Sequence, residues 1–378
     1  MAKINRKFIL KVHEVLGITT GMVVFIVAVT GCLWVFKEEI ESTYTQYKTV
    51  VPQDKPFLLP SEVKRIAENT LPDRAIHGVV YGQPDQAVEV IFYEAIPVFY
   101  QSIFLNPYTG KVLKTVDHTA DFFGFVLAGH VRLWLPSQIG TPLVSYSVLL
   151  FLTILVTGLV LWWPKNKKAL KQRLQFIWKR NTGWKRKNFD LHTIIGFYVS
   201  SFALILAFTG CVMALNWFYF IVYKGTGCNI APQFIIPSST QVQPSSATPS
   251  YDTLLLGLYE AYPAAVSFEL HYPANDSSSI YVEVTNSAGL YYNADYLFYD
   301  QYTLEEMATP SIYGKYKDAH FADKVIRMNY DIHVGAIGGI TGKIIAFLAS
   351  LLTATLPISG YLLWYGRRKK KKYKASIV

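Results

Sequence analysis

The chain alternates between long uncharged segments and longer polar ones. Four segments contain no Asp, Glu, Lys or Arg, and they cover residues 15–36, 139–164, 194–223 and 344–365. A helix needs about 20 apolar residues to cross the hydrocarbon core of a bilayer. The pattern therefore predicts four transmembrane helices. The two long polar segments contain alternating runs, near residues 87–92 and 280–284, which predict strands within small α+β domains.

The first and third predicted helices share one spacing of residues. Gly17 stands four residues after His13, and Gly196 stands four residues after His192. In both copies a Thr-Gly dipeptide begins seventeen residues after the histidine, with no insertion. Such matched spacing indicates an internal repeat.

A second pair of histidines precedes the second and fourth predicted helices. His130 lies 28 residues before Gly158, and His333 lies 27 residues before Gly360. Each half of the chain therefore runs helix, polar domain, helix. The predicted fold is a membrane protein with four transmembrane α-helices, built as a tandem two-helix repeat with two small α+β domains.

The predicted boundaries follow from these patterns. They are the N-terminus with the first helix at 1–36, the first polar domain at 37–118, an approach helix with the second span at 119–164, a basic loop at 165–189, the third span at 190–223, the second polar domain at 224–320, an approach segment with the fourth span at 321–366, and a basic tail at 367–378.

The basic residues cluster on one side of the predicted spans. Four Lys and Arg residues precede the first helix, ten lie in residues 165–187, and seven follow Gly366. The positive-inside rule then places both termini and the central loop in the cytoplasm and both polar domains on the outer side of the membrane. The net charge of +10 is thus a topology signal, and we expect no nucleic acid partner. The basic loop either lies against anionic lipid headgroups or docks a soluble partner.

The cysteines do not form a disulfide framework. The residues around Cys32 imitate a lipoprotein signal, but the apolar run continues and Thr-Gly-Cys recurs at Cys211, so we expect no cleavage there. Buried thiols are the preferred interpretation, and a bridge between Cys211 and Cys228 stays open.

The four helix-associated histidines fall at two depths. His13 and His192 lie at the cytoplasmic ends of their helices, and His130 and His333 lie at the outer approaches. Bis-histidine ligation of one haem iron needs two imidazoles from opposite sides of a flat macrocycle. We therefore predict two haem b groups, the inner one bound by His13 and His192 and the outer one by His130 and His333. Metal without porphyrin is the alternative, although paired carboxylates or cysteines that favour zinc are missing nearby.

Several neighbouring residues complete the predicted site. Gly17 and Gly196 lie one helical turn from their histidines on the same face, where they leave room for a porphyrin; close helix packing is the other explanation. Arg132 is the first candidate to hold a haem propionate, and Arg327 a weaker one. Either arginine is equally suited to anchoring at the interface.

The remaining histidines have open or ordinary roles. His77 and His271 are expected to be plain surface residues of the polar domains. His118 and His320 occupy matched positions before His130 and His333, so they either line the outer site or act as alternative ligands.

The sequence also resembles a known family. Residues 104–113, FLNPYTGKVL, resemble the strand-turn-strand signature of PepSY domains, and with the four histidine-bearing helices and GLVLWWP at 158–164 the whole chain resembles the PepSY-associated membrane-helix family. The second polar domain is a degenerate copy, because Leu304 stands where the family usually has Gly.

The resemblance implies a function in iron uptake. Members of this family include inner-membrane reductases of ferric siderophores, which implies a periplasmic Fe(III) chelate as substrate and release of Fe(II). Electrons would come from a membrane quinol or from a cytoplasmic reductase on the basic loop. The residues that contact the chelate are unknown, and the tyrosines that might do so (Tyr291, Tyr292, Tyr296 and Tyr299) are better explained as strand and core aromatics.

Two other functions stay open. In the first, the polar domains bind a peptidase, a peptide or an envelope protein while the helices only anchor them, with the histidines as interhelical hydrogen-bond partners. In the second, the tandem repeat forms a permease for a siderophore or for haem.

Overall fold

The computed structural model describes residues 5–95, 98–227, 233–239 and 250–375. The chain divides into two compact units. We call Met1–Lys37, Phe125–Tyr219 and Ile332–Val378 the helical unit, and Glu38–Gly124 and Phe220–Asp331 the sheet unit. Cys228, one half of the open cysteine pair, lies outside the described residues, whereas Cys32 and Cys211 are buried free thiols.

Both units contain α-helices, and the long ones lie in the helical unit. In the described part of the chain the α-helices are α1 (Arg6–Val35), α2 (Lys37–Glu41), α3 (Pro60–Thr70), α4 (Phe122–Arg132), α5 (Ser137–Trp162), α6 (Lys167–Leu174), α7 (Trp184–Ala214), α8 (Asn216–Gly225), α9 (Ser250–Ala261), α10 (Phe321–Arg327), α11 (Asn329–His333) and α12 (Gly339–Ala375).

Four of these helices are long and apolar enough to cross a membrane, so the chain is a multi-pass membrane protein. The candidate spans are Arg6–Val35, Ser137–Trp162, Trp184–Ala214 and Ala336–Arg368. Helix α1 packs against α5 and α12, and α7 packs against the same two helices, which closes a four-helix ring. Apolar side chains such as Val24, Phe151 and Ala207 fill part of its centre.

The third span ends earlier than the uncharged sequence suggests. Helix α7 ends at Ala214, where Leu215 takes an extended conformation with φ −124° and ψ 101°, and α8 begins at once at Asn216. An uncharged run therefore marks apolarity but not helix continuity, because the run to residue 223 includes this break.

The sheet unit contains one antiparallel sheet. Its strands are β1 (Gly78–Tyr81), β2 (Val88–Ala95), β3 (Val98–Leu105), β4 (Val112–Asp117), β5 (Ser267–His271), β6 (Ile280–Thr285), β7 (Asp295–Tyr299) and β8 (Glu306–Met307). Their order across the sheet is β4-β3-β2-β1-β5-β6-β7-β8. Each polar segment supplies four consecutive strands, and β1 pairs with β5 in the middle, with Val80 opposite Glu269. The two segments thus share one sheet, where the sequence alone predicts two separate domains.

The two faces of the sheet differ in polarity. Side chains alternate along a strand, so Val79, Tyr81 and Leu270 point into the buried apolar core that α3 and α9 cover. Asp252 of α9 links these helices, since its carboxylate accepts hydrogen bonds from the backbone N–H and the hydroxyl of Ser61, at 2.8 and 2.6 Å.

The opposite face carries acidic, aromatic and histidine side chains. Glu269 pairs with Val80 on one side and with Glu283 on the other. Burial, together with the nearby Glu269 carboxylate, raises the pKa of Glu283 to about 7.

Matched turns close the β3–β4 and β7–β8 hairpins. The side chain of Asn106 accepts hydrogen bonds from the backbone N–H groups of the residues two and three positions later, and Asp300 does the same. Gly110 has φ +72°, and Leu304 takes the equivalent left-handed conformation with φ +59°. The second turn therefore keeps its geometry without the glycine, at a conformational cost of roughly 1–2 kcal/mol.

Candidate functional site

Four histidines of the helical unit form two pairs. The ring centres of His13 and His192 are 6.3 Å apart, with an angle of 82° between the ring planes. The ring centres of His130 and His333 are 6.2 Å apart, with an angle of 68°. These are the two pairs that the sequence repeat predicts, while their role as ligands stays a prediction.

The ring of His13, on α1, rests against α5. Its Nδ1 lies 3.0 Å from the hydroxyl of Thr157 and 3.1 Å from the carbonyl oxygen of Ile154. A Cβ on Gly158 would lie 3.3 Å from Cε1 of His13, closer than ordinary van der Waals contact. The absence of a side chain at Gly158 therefore makes room for this ring.

His192, on α7, makes the equivalent contacts with α12. Its Nδ1 lies 2.9 Å from the hydroxyl of Ser359 and also hydrogen bonds the backbone of Leu356. A Cβ on Gly360 would lie 3.2 Å from Cε1 of His192. The buried Asn188 donates to the carbonyl oxygen of Ser359 at 3.0 Å, which fixes this part of α12.

His130, on α4, contacts the far half of α1 in the same way. Its Nδ1 lies 2.9 Å from the carbonyl oxygen of Val27 and 3.3 Å from the hydroxyl of Thr30. A Cβ on Gly31 would lie 3.2 Å from Cε1 of the ring.

His333, on α11, completes the set against α7. Its Nδ1 lies 2.9 Å from the hydroxyl of Thr209 and hydrogen bonds the backbone of Leu206. A Cβ on Gly210 would lie 3.3 Å from Cε1 of the ring. All four histidines thus use one local structure, in which a Thr-Gly or Ser-Gly dipeptide and the carbonyl three residues before it hold Nδ1.

This local structure decides which ring nitrogen carries the proton. Each hydroxyl already donates to a carbonyl of its own helix, as Thr209 does to Ile205 at 2.7 Å and Ser359 to Thr355 at 3.0 Å. Thr30 and Thr157 donate in the same way. The hydroxyl and carbonyl oxygens around Nδ1 can then only accept, so Nδ1 carries the hydrogen. The lone pair is left on Nε2 of every ring, which is the arrangement of a metal-ligating histidine.

The spacing within each pair fits a shared metal ion. A metal–imidazole bond of about 2.0 Å, plus about 1.1 Å from the nitrogen to the ring centre, separates two opposed axial imidazoles by about 6.2 Å. The observed separations are 6.3 and 6.2 Å. The residues present therefore fit bis-histidine ligation of one iron per pair.

The two pairs lie at opposite ends of the long helices. His13 belongs to one pair, and Thr30 contacts His130 of the other pair. These two residues are seventeen positions apart on α1. At a rise of 1.5 Å per residue this corresponds to about 25 Å along the helix axis.

The predicted glycines near the first pair differ in their surroundings. A Cβ on Gly17 would meet no atom within 4 Å, and one on Gly196 would meet only Leu356 Cδ2, at 3.7 Å. Close helix packing therefore does not explain Gly17. Gly17 borders open space one helical turn from His13.

The two predicted arginines also differ. Arg132 is half-buried, and within the described residues its guanidinium has no hydrogen bond or ion pair, which leaves it able to bind an anion. Arg327 is buried in the sheet unit, where it donates to the carbonyl oxygens of Gly314 and Ala294 and lies over the Tyr296 ring. Arg327 is therefore a structural residue of that unit.

The other histidines belong to the sheet unit. Nε2 of His118 lies 2.9 Å from the hydroxyl of Ser102, and His320 precedes α10 as its N-cap. His77 and His271 come together with Glu269, with all three ligand atoms within 4.8 Å of one another. The expectation that His77 and His271 are plain surface residues is therefore incomplete.

The tyrosines proposed for chelate contact have structural partners. The backbone N–H groups of Tyr291 and Tyr292 donate to Asp331, at 3.0 and 2.8 Å, and Tyr296 stacks against Tyr281. Tyr299 packs against the core of the sheet unit. Tyr296 and Tyr299, both on β7, agree with the interpretation as strand and core aromatics, whereas Tyr291 and Tyr292 lie outside the strands and the Tyr291 side chain is exposed.

Sequence reasoning missed the hydroxyl residues that hold the rings. Thr30, Thr157, Thr209 and Ser359 are visible in the sequence as a recurring Thr-Gly or Ser-Gly dipeptide. The dipeptides therefore mark the internal repeat in the sequence, but their contact with a histidine is not evident there. The histidine that each dipeptide contacts lies up to 167 residues away, and the pairing is seen only in the folded chain.

Comparisons with known proteins agree with this architecture. The family model described as the PepSY-associated TM region matches residues 10–367. A comparison with curated proteins found no match.

Proposed function

Because this chain belongs to the family described as the PepSY-associated TM region, we propose that it is a haem-dependent ferric-siderophore reductase of the bacterial inner membrane. In this proposal two haem b groups lie in the helical unit. Electrons pass from a donor to an Fe(III) chelate in the periplasm, and Fe(II) is released.

The observation that carries the proposal is the spacing between the two rings of each histidine pair. His13 with His192, and His130 with His333, have the ring separation that two axial ligands of one iron require. The hydrogen bond at each Nδ1 fixes the ring orientation and raises the basicity of the ligand. If the histidines served only as hydrogen-bond partners between helices, each ring would need its hydroxyl and carbonyl partners but not a second histidine ring nearby.

When bound, a haem with two imidazole ligands exchanges single electrons and has no open position for bond chemistry. The Thr and Ser hydroxyls and the backbone carbonyls at Nδ1 orient the four histidines. Gly17 leaves space for the macrocycle next to His13, and Arg132 would bind a propionate. Siderophores hold Fe(III) through hard oxygen ligands, and adding one electron gives Fe(II), which these ligands hold less well.

The reciprocal contacts support a tandem repeat. His13 of α1 contacts α5, and His130, just before α5, contacts α1. His192 of α7 contacts α12, and His333, just before α12, contacts α7. Each proposed haem takes one ligand from each repeat, so neither repeat alone forms a complete site.

The proposed orientation puts both termini and the basic loop in the cytoplasm. Acidic residues on this side are few and paired, since Glu14 contacts Arg367 at 3.1 Å and Asp190 contacts Arg186 at 2.9 Å. The remaining positive charge suits anionic lipid headgroups. The donor is either a quinol or a cytoplasmic reductase that docks on this surface.

Proteoliposomes test the activity. A reductant that cannot cross the bilayer is enclosed with the protein, a ferric siderophore is added outside, and Fe(II) is trapped outside with a coloured chelator. We expect Fe(II) to form with the wild-type protein and to fall to background with His130→Ala, while His320→Ala behaves as the wild type. Movement of the siderophore into the vesicles without formation of Fe(II) would instead show a permease. If neither Fe(II) formation nor siderophore movement is observed, the remaining interpretation is an anchored binding protein.

A further inference from the structure

Three metal-ligating side chains meet where the two halves of the sheet join. Glu269 and His271 are two residues apart on β5, so they project from the same face. His77 directly precedes β1, the strand that pairs with β5. The carboxylate and imidazole ligand atoms of the three residues all lie within 4.8 Å of one another.

Gly78 makes space for this cluster. A Cβ at this position would lie 3.1 Å from Cε1 of His271 and 3.2 Å from the carboxylate oxygen Oε1 of Glu269. Both contacts are tighter than ordinary van der Waals contact, so a side chain at residue 78 would push the two ligands apart. Because residue 78 has no side chain, the side chains of His271 and Glu269 can lie close to the backbone of β1, next to His77.

Hydrogen bonding orients the His271 ring. Its Nδ1 lies 2.8 Å from the backbone carbonyl oxygen of His77, which can only accept, so Nδ1 carries the hydrogen. Nε2, the other ring nitrogen, lies 3.2 Å from Oε1 of Glu269. One cation, whether a proton or a metal ion, can therefore contact both atoms. A backbone carbonyl behind Nδ1 is also the usual support of a metal-ligating histidine.

The His77 ring borders the same space. Its centre lies 4.8 Å from that of His271, and the two ring planes are perpendicular. Tetrahedral coordination with bonds of about 2.0 Å separates ligand atoms by about 3.4 Å, so small side-chain rotations bring the three ligand atoms onto one ion.

We propose that His77, Glu269 and His271 form a second metal site, which binds one divalent first-row transition-metal ion. Two imidazoles and one carboxylate suit Fe²⁺, Co²⁺ or Zn²⁺, whereas Mg²⁺ and Ca²⁺ prefer oxygen ligands alone. Three protein ligands leave further coordination positions open. The site lies wholly within the sheet unit and does not depend on haem binding in the helical unit.

Zinc binding by the full-length protein tests this site. Detergent-solubilised protein is treated with a chelator, dialysed, and equilibrated with increasing Zn²⁺, and bound zinc per chain is measured by mass spectrometry. We expect the wild type to bind one more ion than Glu269→Gln or His271→Ala, or to bind it at least ~10-fold more tightly. Gly78→Ala should also weaken binding, because its Cβ displaces two ligands.

His118→Ala is the matched control, since it removes an imidazole from the same sheet without touching the three ligands. It should bind zinc as the wild type does. Circular dichroism and gel-filtration elution establish that each variant is folded. Equal zinc binding by the wild type, Glu269→Gln and His271→Ala would overturn the proposal and leave an ordinary His271–Glu269 ion pair. An equal loss in His118→Ala would overturn it as well.

Discussion

Gly31 offers a sharp perturbation of the outer histidine pair. Its missing side chain faces His130, and an alanine Cβ would lie 3.2 Å from Cε1 and 3.5 Å from Nδ1 of that ring. Ordinary contact begins at 3.4 Å. Alanine therefore forces the ring away from α1 by at least about 0.2 Å in a close-packed site, and valine forces it further.

The expected effect is a loss of haem affinity with the fold preserved. Displacement weakens the hydrogen bond from Nδ1 to the Val27 carbonyl, now 2.9 Å long, at a cost of about 1 kcal/mol. Changes to the groups behind a metal-ligating histidine typically weaken metal binding by about 10- to 100-fold. We expect Gly31→Ala to release the proposed outer haem about 10-fold faster than the wild type, and Gly31→Val to lose it during purification.

Transfer of haem to excess apomyoglobin measures these release rates. Gly158→Ala should speed release from the inner pair instead, because Gly158 faces His13. Gly366→Ala, on α12 with no atom within 4 Å of its Cβ, should release both haems as the wild type does. If Gly31→Ala keeps both haems with wild-type kinetics, His130 is not an axial ligand held by this contact, and the reasoning fails.

Three further predictions concern other parts of the chain. Gly17→Val should lower haem content while the helix content by circular dichroism stays unchanged, because its side chain fills space that no protein atom occupies; unaltered haem content would mean that this face is simply open. Asp252→Ala should destabilise the sheet unit by about 1–3 kcal/mol in chemical denaturation, because the half-buried N–H of Ser61 loses its acceptor; unchanged stability would contradict this. Gly110→Ala should lower the midpoint temperature of thermal unfolding, because residue 110 has φ +72° and an added Cβ would lie 2.6 Å from Cδ1 of Ile66. A raised midpoint temperature would contradict the predicted backbone strain.

Much of the helical unit is readable from the sequence. Uncharged length fixes the four spans, since a bilayer imposes one requirement on every helix that crosses it. The repeat also predicts which histidines pair, because two copies of one unit bring equivalent positions together. The break at Leu215 was not predicted, since apolarity alone does not report a change of backbone conformation.

The sheet unit is less readable. The strands were expected, but the pairing of β1 with β5 joins residues about 190 positions apart, and no local pattern specifies such a partner. The cluster of His77, Glu269 and His271 depends on this pairing, so each residue alone resembles an ordinary surface position. Leu304 illustrates a further limit, because its turn is held by Asp300 despite a residue that disfavours the left-handed conformation.

The stoichiometry of haem in single histidine variants tests the central claim most directly. Protein purified from haem-replete cells should contain two b-type haems per chain. His13→Ala and His192→Ala should each lose the same haem, and His130→Ala and His333→Ala should each lose the other, as shown by the redox potential of the haem that remains. A wild-type protein without haem, or four variants that all keep two haems, would contradict the account.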